Sequence, residues 1–251
     1  MQNLNLLFNK QYYSELSDAG FLPFFGHETK QKKEAEERLS DCLKSMNTRI
    51  CNTRFNNDDY AGLSGEVAPY QIKLQTVYPG MIIGSGNPHG VHISDEDINM
   101  GFSFDYVTGQ PYIPGSTVKG VLRSHFREQP EAVAEIIRSS IGLGDVNVKD
   151  LETEIFDGND IFFDAVICHG DRNGKLIGVD YLAPHPEKTK APKPIQFIKI
   201  LPDVGFVFAF RFKNGILTGD EKCQLMSILI SLFGVGAKTN TGYGRMKILS
   251  E

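Results

Sequence analysis

The sequence predicts an α+β protein whose core is a modified ferredoxin-like unit, with elements in the order βαββαβ and insertions between them. Three observations lead to this prediction. Apolar and polar residues alternate at about 70–78 and in several stretches between 160 and 212, which indicates strands. Two segments, near 116–127 and 218–233, have apolar residues at helical spacing after a helix start signal. A short apolar stretch at 246–249 indicates a closing strand.

The N-terminal region is predicted to be an arm and a helix that pack on the main domain. This region covers 1–66, and the main domain covers 67–251. Scattered aromatic residues mark the arm, and a Lys- and Glu-rich segment at 31–46 has the spacing of an amphipathic helix. The polar stretch that follows is typical of a loop or linker.

The first strand is followed by a Gly- and Pro-containing loop and by a short strand around Phe104. A Pro-Gly turn then precedes Ser116. We expect Ser116 to be the N-cap of a helix, because its hydroxyl can accept a bond from a free amide of the first turn. On this helix Lys119, Arg123 and Arg127 recur every four residues, so they share one face.

The second half of the chain completes the predicted core. A helix is expected to end at Gly142, and Thr218 with Glu221 has the pattern of a capping box for the next helix, which ends at Gly234. Between these helices the alternation predicts four strands, at 160–168, 175–181, 195–201 and 205–212. A glycine-rich loop then leads into the last strand.

Composition limits the classes of function. The chain has 251 residues and a formal net charge of −5, which is unusual for a free-standing nucleic-acid binder but leaves room for a local basic surface. Its four cysteines show no CxxC spacing and are expected to be reduced thiols. With no apolar run long enough to span a membrane, the predicted location is cytoplasmic.

Several catalytic motifs are excluded. The segment around Lys238 lacks the glycines of a P-loop, and it follows a helix instead of opening one. No G-x-S-x-G elbow is present. His89 and His92, followed by Asp95 and Asp97, could ligate a metal, but solvated loop residues are the favoured interpretation. Asp164, beside two phenylalanines, is expected to be structural.

Two basic segments suit a ribose-phosphate strand. The start of the helix at Ser116 offers free amides to an anion, with Lys119 and Arg123 nearby. The glycine-rich loop combines backbone freedom with hydrogen-bond donors, cations and a tyrosine. The alternatives are a capped helix with solvated cations and a packing turn. The candidate RNA-binding residues are Gly115, Ser116, Thr117, Lys119, Arg123, Lys238, Thr239, Asn240, Tyr243 and Arg245.

These two segments carry a family resemblance. The stretch YIPGSTVKG at 112–120 resembles the "IPGSSLKG" helix entry of the RAMP superfamily of CRISPR proteins, and GVGAKTNTGYG at 234–244 resembles its C-terminal glycine-rich loop. The stretches IFFDA at 161–165, DYLAPH at 180–185 and PIQF at 194–197 are similar to one branch of that superfamily, subunit six of the Cmr (type III-B) effector complex.

The resemblance implies a modified RNA-recognition-type fold and a non-catalytic subunit. We expect no cofactor and no metal. Such a subunit binds the backbone of the CRISPR RNA near its 3′ part and caps the backbone filament in antiviral defence. The implied partners are CRISPR RNA, target RNA and other Cmr subunits: the repeated backbone subunit, the small subunit and subunit one. The alternative is a metal-dependent endoribonuclease of the same superfamily, in which Asp95, Asp97, His89 and His92 would act.

Overall fold

The structure is a computed structural model that describes residues 3–12, 14, 29–55, 62–84, 97–98, 103–182 and 195–249. It combines helices with an antiparallel sheet, so the predicted α+β class is confirmed.

A central antiparallel sheet forms the body of the protein. Along it the strands follow the order β2-β4-β7-β1-β8, and β3 pairs with β7 beside β4. Every described pairing in this sheet is antiparallel. Its strands are β1 (Tyr70–Thr76), β2 (Tyr112–Ile113), β3 (Ile161–Phe162), β4 (Ala165–His169), β7 (Gly205–Arg211) and β8 (Met246–Ile248).

Two long helices lie between strands of this sheet along the chain. Helix α3 (Gly115–Glu128) lies between β2 and β3, and α6 (Gly219–Phe233) connects β7 to β8 and packs on β1. The predicted capping box at the start of α6 is confirmed, because Thr218 and Glu221 bond each other's backbone amides. The helix ends at Gly234, as predicted, with φ 79°.

Two shorter helices in the described chain pack against α3. Helix α4 (Pro130–Ile136) continues as a π-helical segment, Ile137–Ile141, and ends at Gly142 in the left-handed region, as the sequence predicts. Helix α5 (Val148–Glu152) continues as a second π-helical segment, Thr153–Asp157. Both pack against α3.

An inserted hairpin forms a separate two-stranded sheet. It consists of β5 (Ile177–Leu182) and β6 (Ile195–Ile200), which pair antiparallel with Tyr181 opposite Gln196. A bridge between Met81 and Ile200 ties it to the segment after β1. On one face of the hairpin lies α2 (Thr29–Cys51), which is longer at both ends than the predicted helix.

The N-terminal elements share a hydrophobic core with the sheet. Helix α1 (Leu4–Leu6) and its π-helical continuation, Leu7–Gln11, bury Leu4, Leu7 and Phe8. These side chains belong to the same cluster as Leu43 of α2 and the buried phenylalanines of β7. Within the described residues, these N-terminal side chains therefore pack in the same core as the sheet.

Two predicted strands differ from the observed ones. Around Phe104, in the stretch described from residue 103 onward, an isolated bridge to Pro111 forms in place of a strand. The predicted strand at 160–168 is interrupted after Phe162, because Asp164 turns its carboxylate to the amide of Gly115 instead of continuing the ladder. Among the described helices, none has the length and apolar character needed to cross a bilayer.

Candidate nucleic-acid interface

The start of α3 is built differently from the prediction. The helix begins at Gly115 and its cap is Pro114, so the prediction that Ser116 is the N-cap is wrong. The carbonyl of Pro114 accepts from the amides of Thr117 and Val118 at 2.8 and 3.0 Å. The amide of Gly115 donates to Asp164 Oδ1 at 2.7 Å.

This arrangement lowers the capacity of the helix start for an external anion. A carboxylate already lies where a phosphate would gain most from the helix dipole. Gly115 permits the close approach, because a Cβ there would lie 2.3 Å from the carbonyl oxygen of Phe162. Asp164 is structural, as expected. Ser116 and Thr117 remain exposed at this end of the helix.

The cationic face of α3 meets two carboxylates. Arg123 donates to Glu152 Oε1 at 2.7 Å and to Asp157 Oδ2 at 2.5 Å, and Arg127 donates to the same Glu152 oxygen at 2.6 Å. The hydrogen bond from Arg123 is the main cause that lowers the pKa of both Glu152 and Asp157 below the usual range of carboxyl groups. Arg123 is therefore held in an ion-pair cluster with α5.

Lys119 lies outside this cluster. Its ammonium is 5.8 Å from the centroid of the Phe162 ring, within cation–π distance, and its side chain is half-buried. Of the two α3 cations among the candidate residues, Lys119 is the one without a direct carboxylate partner in the described structure.

The glycine-rich loop is a compact turn that lies on the segment after β1. The amide of Gly244 donates to the carbonyl of Gly80 at 2.8 Å, and the amide of Ala237 donates to the carbonyl of Ile82 at 3.0 Å. Gly236 has φ 101°, and a Cβ there would lie 2.5 Å from the carbonyl oxygen of Ile82. Glycine is needed because neither the left-handed backbone nor the close approach admits a side chain.

The loop presents its polar side chains to solvent. Lys238, Asn240 and Arg245 are exposed, Thr239 is half-buried, and Lys238 adopts a left-handed conformation with φ 59°. Within the described part of the chain, neither Lys238 nor Arg245 forms an ion pair. The loop therefore carries two cations whose charge is available to a ligand.

Tyr243 is a buried anchor of this loop. Only 9% of it is exposed, and its ring packs edge-on against Phe197 with a centroid distance of 6.1 Å. Its hydroxyl donates to Asp180 Oδ2 at 2.8 Å, and Lys199 donates to the same oxygen at 2.6 Å. Of the two roles open to this tyrosine, stacking on a base or packing, the structure shows packing.

The same contacts shift two pKa values. Burial, followed by the hydrogen bond to the Asp180 carboxylate, raises the pKa of Tyr243 to about 12. Burial alone would raise the pKa of Asp180, but hydrogen bonds from Lys199 and Tyr243 outweigh it and hold the pKa below its ordinary value. Asp180 is thus a charged acceptor that ties the β5–β6 hairpin to the loop.

The two predicted segments do not adjoin in the sheet. The start of α3 follows β2 at one edge, and the glycine-rich loop enters β8 at the opposite edge. Four strand spacings separate these edges, or about 19 Å. A strand of RNA that touched both would have to cross the width of the sheet.

Two features of this region were not found from the sequence. Tyr78, two residues before Gly80, is 84% exposed beside the loop and offers an aromatic ring to solvent. Asp180 lies far from the loop in the chain. An aromatic residue just after a predicted strand could have been identified as a candidate for the interface, so Tyr78 could have been found from the sequence. No local pattern marks Asp180 as a partner of Tyr243.

The residues of the metal-site alternative are only partly described. His89, His92 and Asp95 lie outside the described residues. Asp97 is 1% exposed. Within the ranges that the structure describes, no group of three or more His, Cys, Asp or Glu side chains is arranged to hold a metal ion.

Comparisons with known proteins agree on one family. A family model described as the RAMP superfamily matches residues 73–247. The CRISPR system CMR subunit Cmr6 of Saccharolobus solfataricus is 29% identical over 225 residues, which cover 86% of this chain and 70% of that protein. The Cmr6 subunit of Pyrococcus furiosus is 24% identical over 198 residues, or 55% of this chain and 58% of that protein.

A solved structure has a similar fold. A chain in the cryo-EM structure of the type III-B Cmr-beta complex bound to cognate target RNA superposes with a TM-score of 0.63. The match covers 98% of this chain and 84% of that chain, at 23% sequence identity.

Proposed function

Because this chain belongs to the RAMP superfamily, we propose that it is a non-catalytic RNA-binding subunit of a type III-B CRISPR (Cmr) effector complex. The similarity to two Cmr6 proteins supports the choice of complex and of subunit. Its partners in this proposal are CRISPR RNA, target RNA and the other Cmr subunits, within a cytoplasmic particle that acts in antiviral defence. The chain caps the backbone filament near the 3′ part of the CRISPR RNA.

The proposed core is a modified ferredoxin-like unit of the RNA-recognition type. Support comes from the strand order β4-β7-β1-β8, in which the first and third core strands lie at the centre and all neighbours are antiparallel. Helices occur between β1 and β4 and between β7 and β8, as a βαββαβ unit requires. The insertions are the α4–α5 segment and the β5–β6 hairpin. The domain division at residue 66 remains part of this proposal.

One observation supports the RNA contact above all others. Lys238 and Arg245 are exposed on a loop whose backbone is fixed by left-handed glycines and by hydrogen bonds to Gly80 and Ile82. A preorganised loop presents cations and amide donors to phosphate and ribose at little entropic cost. Such contacts do not depend on the guide sequence.

The other candidate residues take different parts. Thr239 and Asn240 add hydrogen-bond donors beside Lys238, and Ser116, Thr117 and Lys119 form a second, weaker contact at the start of α3. Gly115 itself is buried and its amide is bonded to Asp164, so it fixes the start of α3 and leaves the contact to its exposed neighbours. Arg123 orders α3 against α5, and Tyr243 holds the loop in place. Asp97, with 1% of its surface exposed, is poorly placed to act as a metal ligand of a ribonuclease.

The proposal is tested with the double variant Lys238→Ala/Arg245→Ala in the assembled complex. We expect weaker binding of CRISPR RNA by a similar factor for unrelated spacers, because the lost contacts are to the backbone. Each lost phosphate contact on a single strand lowers the salt dependence of log K by roughly 0.7, so the slope should fall by about 1.4. Filter binding over a range of salt concentrations measures both quantities.

A matched control removes two other exposed cations. Lys149 lies on α5, and Arg172, 89% exposed, lies before β5; neither belongs to the proposed interface. The variant Lys149→Ala/Arg172→Ala has the same net charge as the test variant and should bind RNA as the unaltered protein does. Equal affinities and salt slopes for the two variants would contradict the proposed RNA contact.

A further inference from the structure

A cleft lies on the opposite side of the β5–β6 hairpin from the glycine-rich loop. It has a volume of about 550 Å³ and is formed by α2 together with β5, β6 and the residues before β5. Its size falls within the range of small-molecule sites, roughly 300–1,000 Å³. One face of the hairpin therefore turns Phe197 and Lys199 to the loop, and the other turns Tyr181 and Gln196 to this cleft.

The chemistry of the cleft is cationic and amide-rich. Lys44 and Lys175 line it, together with the side-chain amides of Asn47, Asn52 and Gln196. Among the described residues that line it, none is acidic, although the whole chain carries a net charge of −5. The ammonium of Lys175 donates to the neutral amide oxygen of Asn52 at 2.8 Å, so its positive charge is not cancelled by that contact.

Gln196 is the feature that points to a ligand. Only 5% of this residue is exposed, and its Oε1 has no hydrogen-bond partner. Buried polar side chains almost always have partners, so an unpaired buried amide at the wall of a cleft calls for an explanation. The amide has an acceptor and two donors side by side, and the edge of a nucleobase offers the complementary groups.

Tyr181 completes the arrangement. It lies directly opposite Gln196 in the hairpin, lines the cleft and is 60% exposed, so much of its side chain is accessible to a ligand. Unpaired bases commonly stack on such aromatic rings while their edges form hydrogen bonds. A buried amide and an exposed aromatic ring thus lie opposite each other in the hairpin, and Lys175, six residues before Tyr181, lines the same cleft.

We propose that this cleft binds one unpaired nucleotide, with its base against Gln196 and Tyr181 and its phosphate pointing toward the end of the cleft where Lys175 lies. This inference rests on the proposed function, because an RNA strand in the complex is the expected source of the nucleotide. It adds a site that reads a base, on the face of the hairpin opposite to the backbone contact at the glycine-rich loop.

The test uses Gln196→Leu, which keeps a side chain of similar size but removes its hydrogen bonds. Fluorescence anisotropy measures binding of labelled single-stranded RNA to the assembled complex, and titration calorimetry measures binding of nucleoside 5′-monophosphates to the purified full chain. We expect about tenfold weaker RNA binding for Gln196→Leu, as for loss of a base-specific pair of hydrogen bonds. We expect a loss of similar size for Tyr181→Ala, as for one stacked base.

Two further measurements keep the outcomes distinct. Gln196→Leu should not lower the melting temperature, because it removes an unsatisfied buried amide. If the melting temperature does fall, RNA binding by Tyr181→Ala becomes the test of the inference, because that side chain is largely exposed and its removal should not disturb the fold. Monophosphate binding that is lost in Gln196→Leu means that the cleft also takes free nucleotides. No monophosphate binding, with weakened RNA binding, means that it takes only a nucleotide within a strand.

Unaltered RNA binding by both Gln196→Leu and Tyr181→Ala would overturn the inference. If Lys238→Ala/Arg245→Ala still weakens binding in that case, the backbone contact stands without the cleft. The reverse pattern would retain the cleft and refute the contact at the glycine-rich loop.

Discussion

Single residues determine the shape of the proposed RNA-binding loop. Gly244 has φ 72°, and a Cβ at this position would lie 2.0 Å from the carbonyl oxygen of Val235. We expect Gly244→Ala to lower the free energy of unfolding by about 2 kcal/mol, because both the backbone conformation and the contact are unfavourable for alanine. Urea denaturation of the purified chain measures the change.

Gly120 provides the control for this prediction. It lies within α3, and nothing lies within 4 Å of an added Cβ. Gly120→Ala should therefore stabilise the protein by roughly 0.5–1 kcal/mol. If both alanine variants change stability in the same direction, the interpretation of Gly244 is incorrect.

Arg123 is a second residue whose role the structure redefines. Its bonds to Glu152 and Asp157 lower the pKa values of these carboxyl groups in the folded state. A carboxyl group whose pKa is lowered by folding stabilises the fold at pH values above its unfolded pKa, which is about 4.3 for Glu152 and about 3.9 for Asp157. This contribution is lost as the pH falls through the pKa of the folded state. Arg123→Ala should thus destabilise the protein at neutral pH.

The difference in melting temperature between the unaltered chain and Arg123→Ala should become smaller below about pH 4, because the carboxylates become protonated there. Thermal unfolding between pH 3 and 7 measures it. Arg172→Ala, which removes a largely exposed cation 3.5 Å from Asp203, should show little effect at any of these values. A difference that stays constant with pH would contradict the ion-pair interpretation.

At the scale of elements, the β5–β6 hairpin and the glycine-rich loop are joined through one carboxylate. Tyr243→Phe retains the ring that packs on Phe197 but removes the hydroxyl that donates to Asp180. We expect Tyr243→Phe to lower the free energy of unfolding by about 1.5 kcal/mol, which is typical of a hydrogen bond to a charged group. Hydrogen exchange should become faster in 235–244 and 177–182 together, because both ends of the connection are released.

Tyr78→Phe is the matched change for this prediction. The side chain of Tyr78 is 84% exposed beside the same loop, so removal of its hydroxyl should leave stability and exchange unchanged. Faster exchange in the loop alone, with the hairpin unaffected by Tyr243→Phe, would show that the two elements are not coupled through Asp180.

Start and stop signals predicted the long elements well. Thr218, Glu221 and Gly234 bound α6 as expected, because capping depends on residues within a few positions of one another. The prediction that Ser116 is a cap was wrong because the actual arrangement depends on a residue distant in the chain. Its role as a cap was taken by Pro114 and by Asp164, which lies 49 residues from Gly115 in the chain. No local pattern contains that contact.

At the scale of the whole molecule, the N-terminal elements and the sheet share one core. Leu43 of α2 is fully buried in the cluster that also contains β1 and β7 residues. Leu43→Ala should lower the free energy of unfolding by about 3 kcal/mol, because it leaves a cavity in this core. Unfolding followed by circular dichroism and by tyrosine fluorescence should still give coincident transitions, because the described N-terminal elements have no core apart from the one they share with the sheet.

Leu232→Ala, at a site 60% exposed on α6, serves as the control and should change stability by less than about 0.5 kcal/mol. Two separate transitions in the Leu43→Ala variant would show instead that the N-terminal region is an independent unit.

The sequence by itself determined the α+β class, the bounds of α6, the turns that need glycine and the two segments that mark the family. Each of these depends on residue type and on short spacing, which are fully present in a linear chain. The tertiary structure decided which charges are available. It pairs Arg123 with α5, buries Tyr243 against Asp180 and leaves Lys238 and Arg245 exposed. It also leaves Gln196 buried without a partner for its amide oxygen. Whether a polar group is paired depends on elements distant in the chain, and only folding brings those elements together.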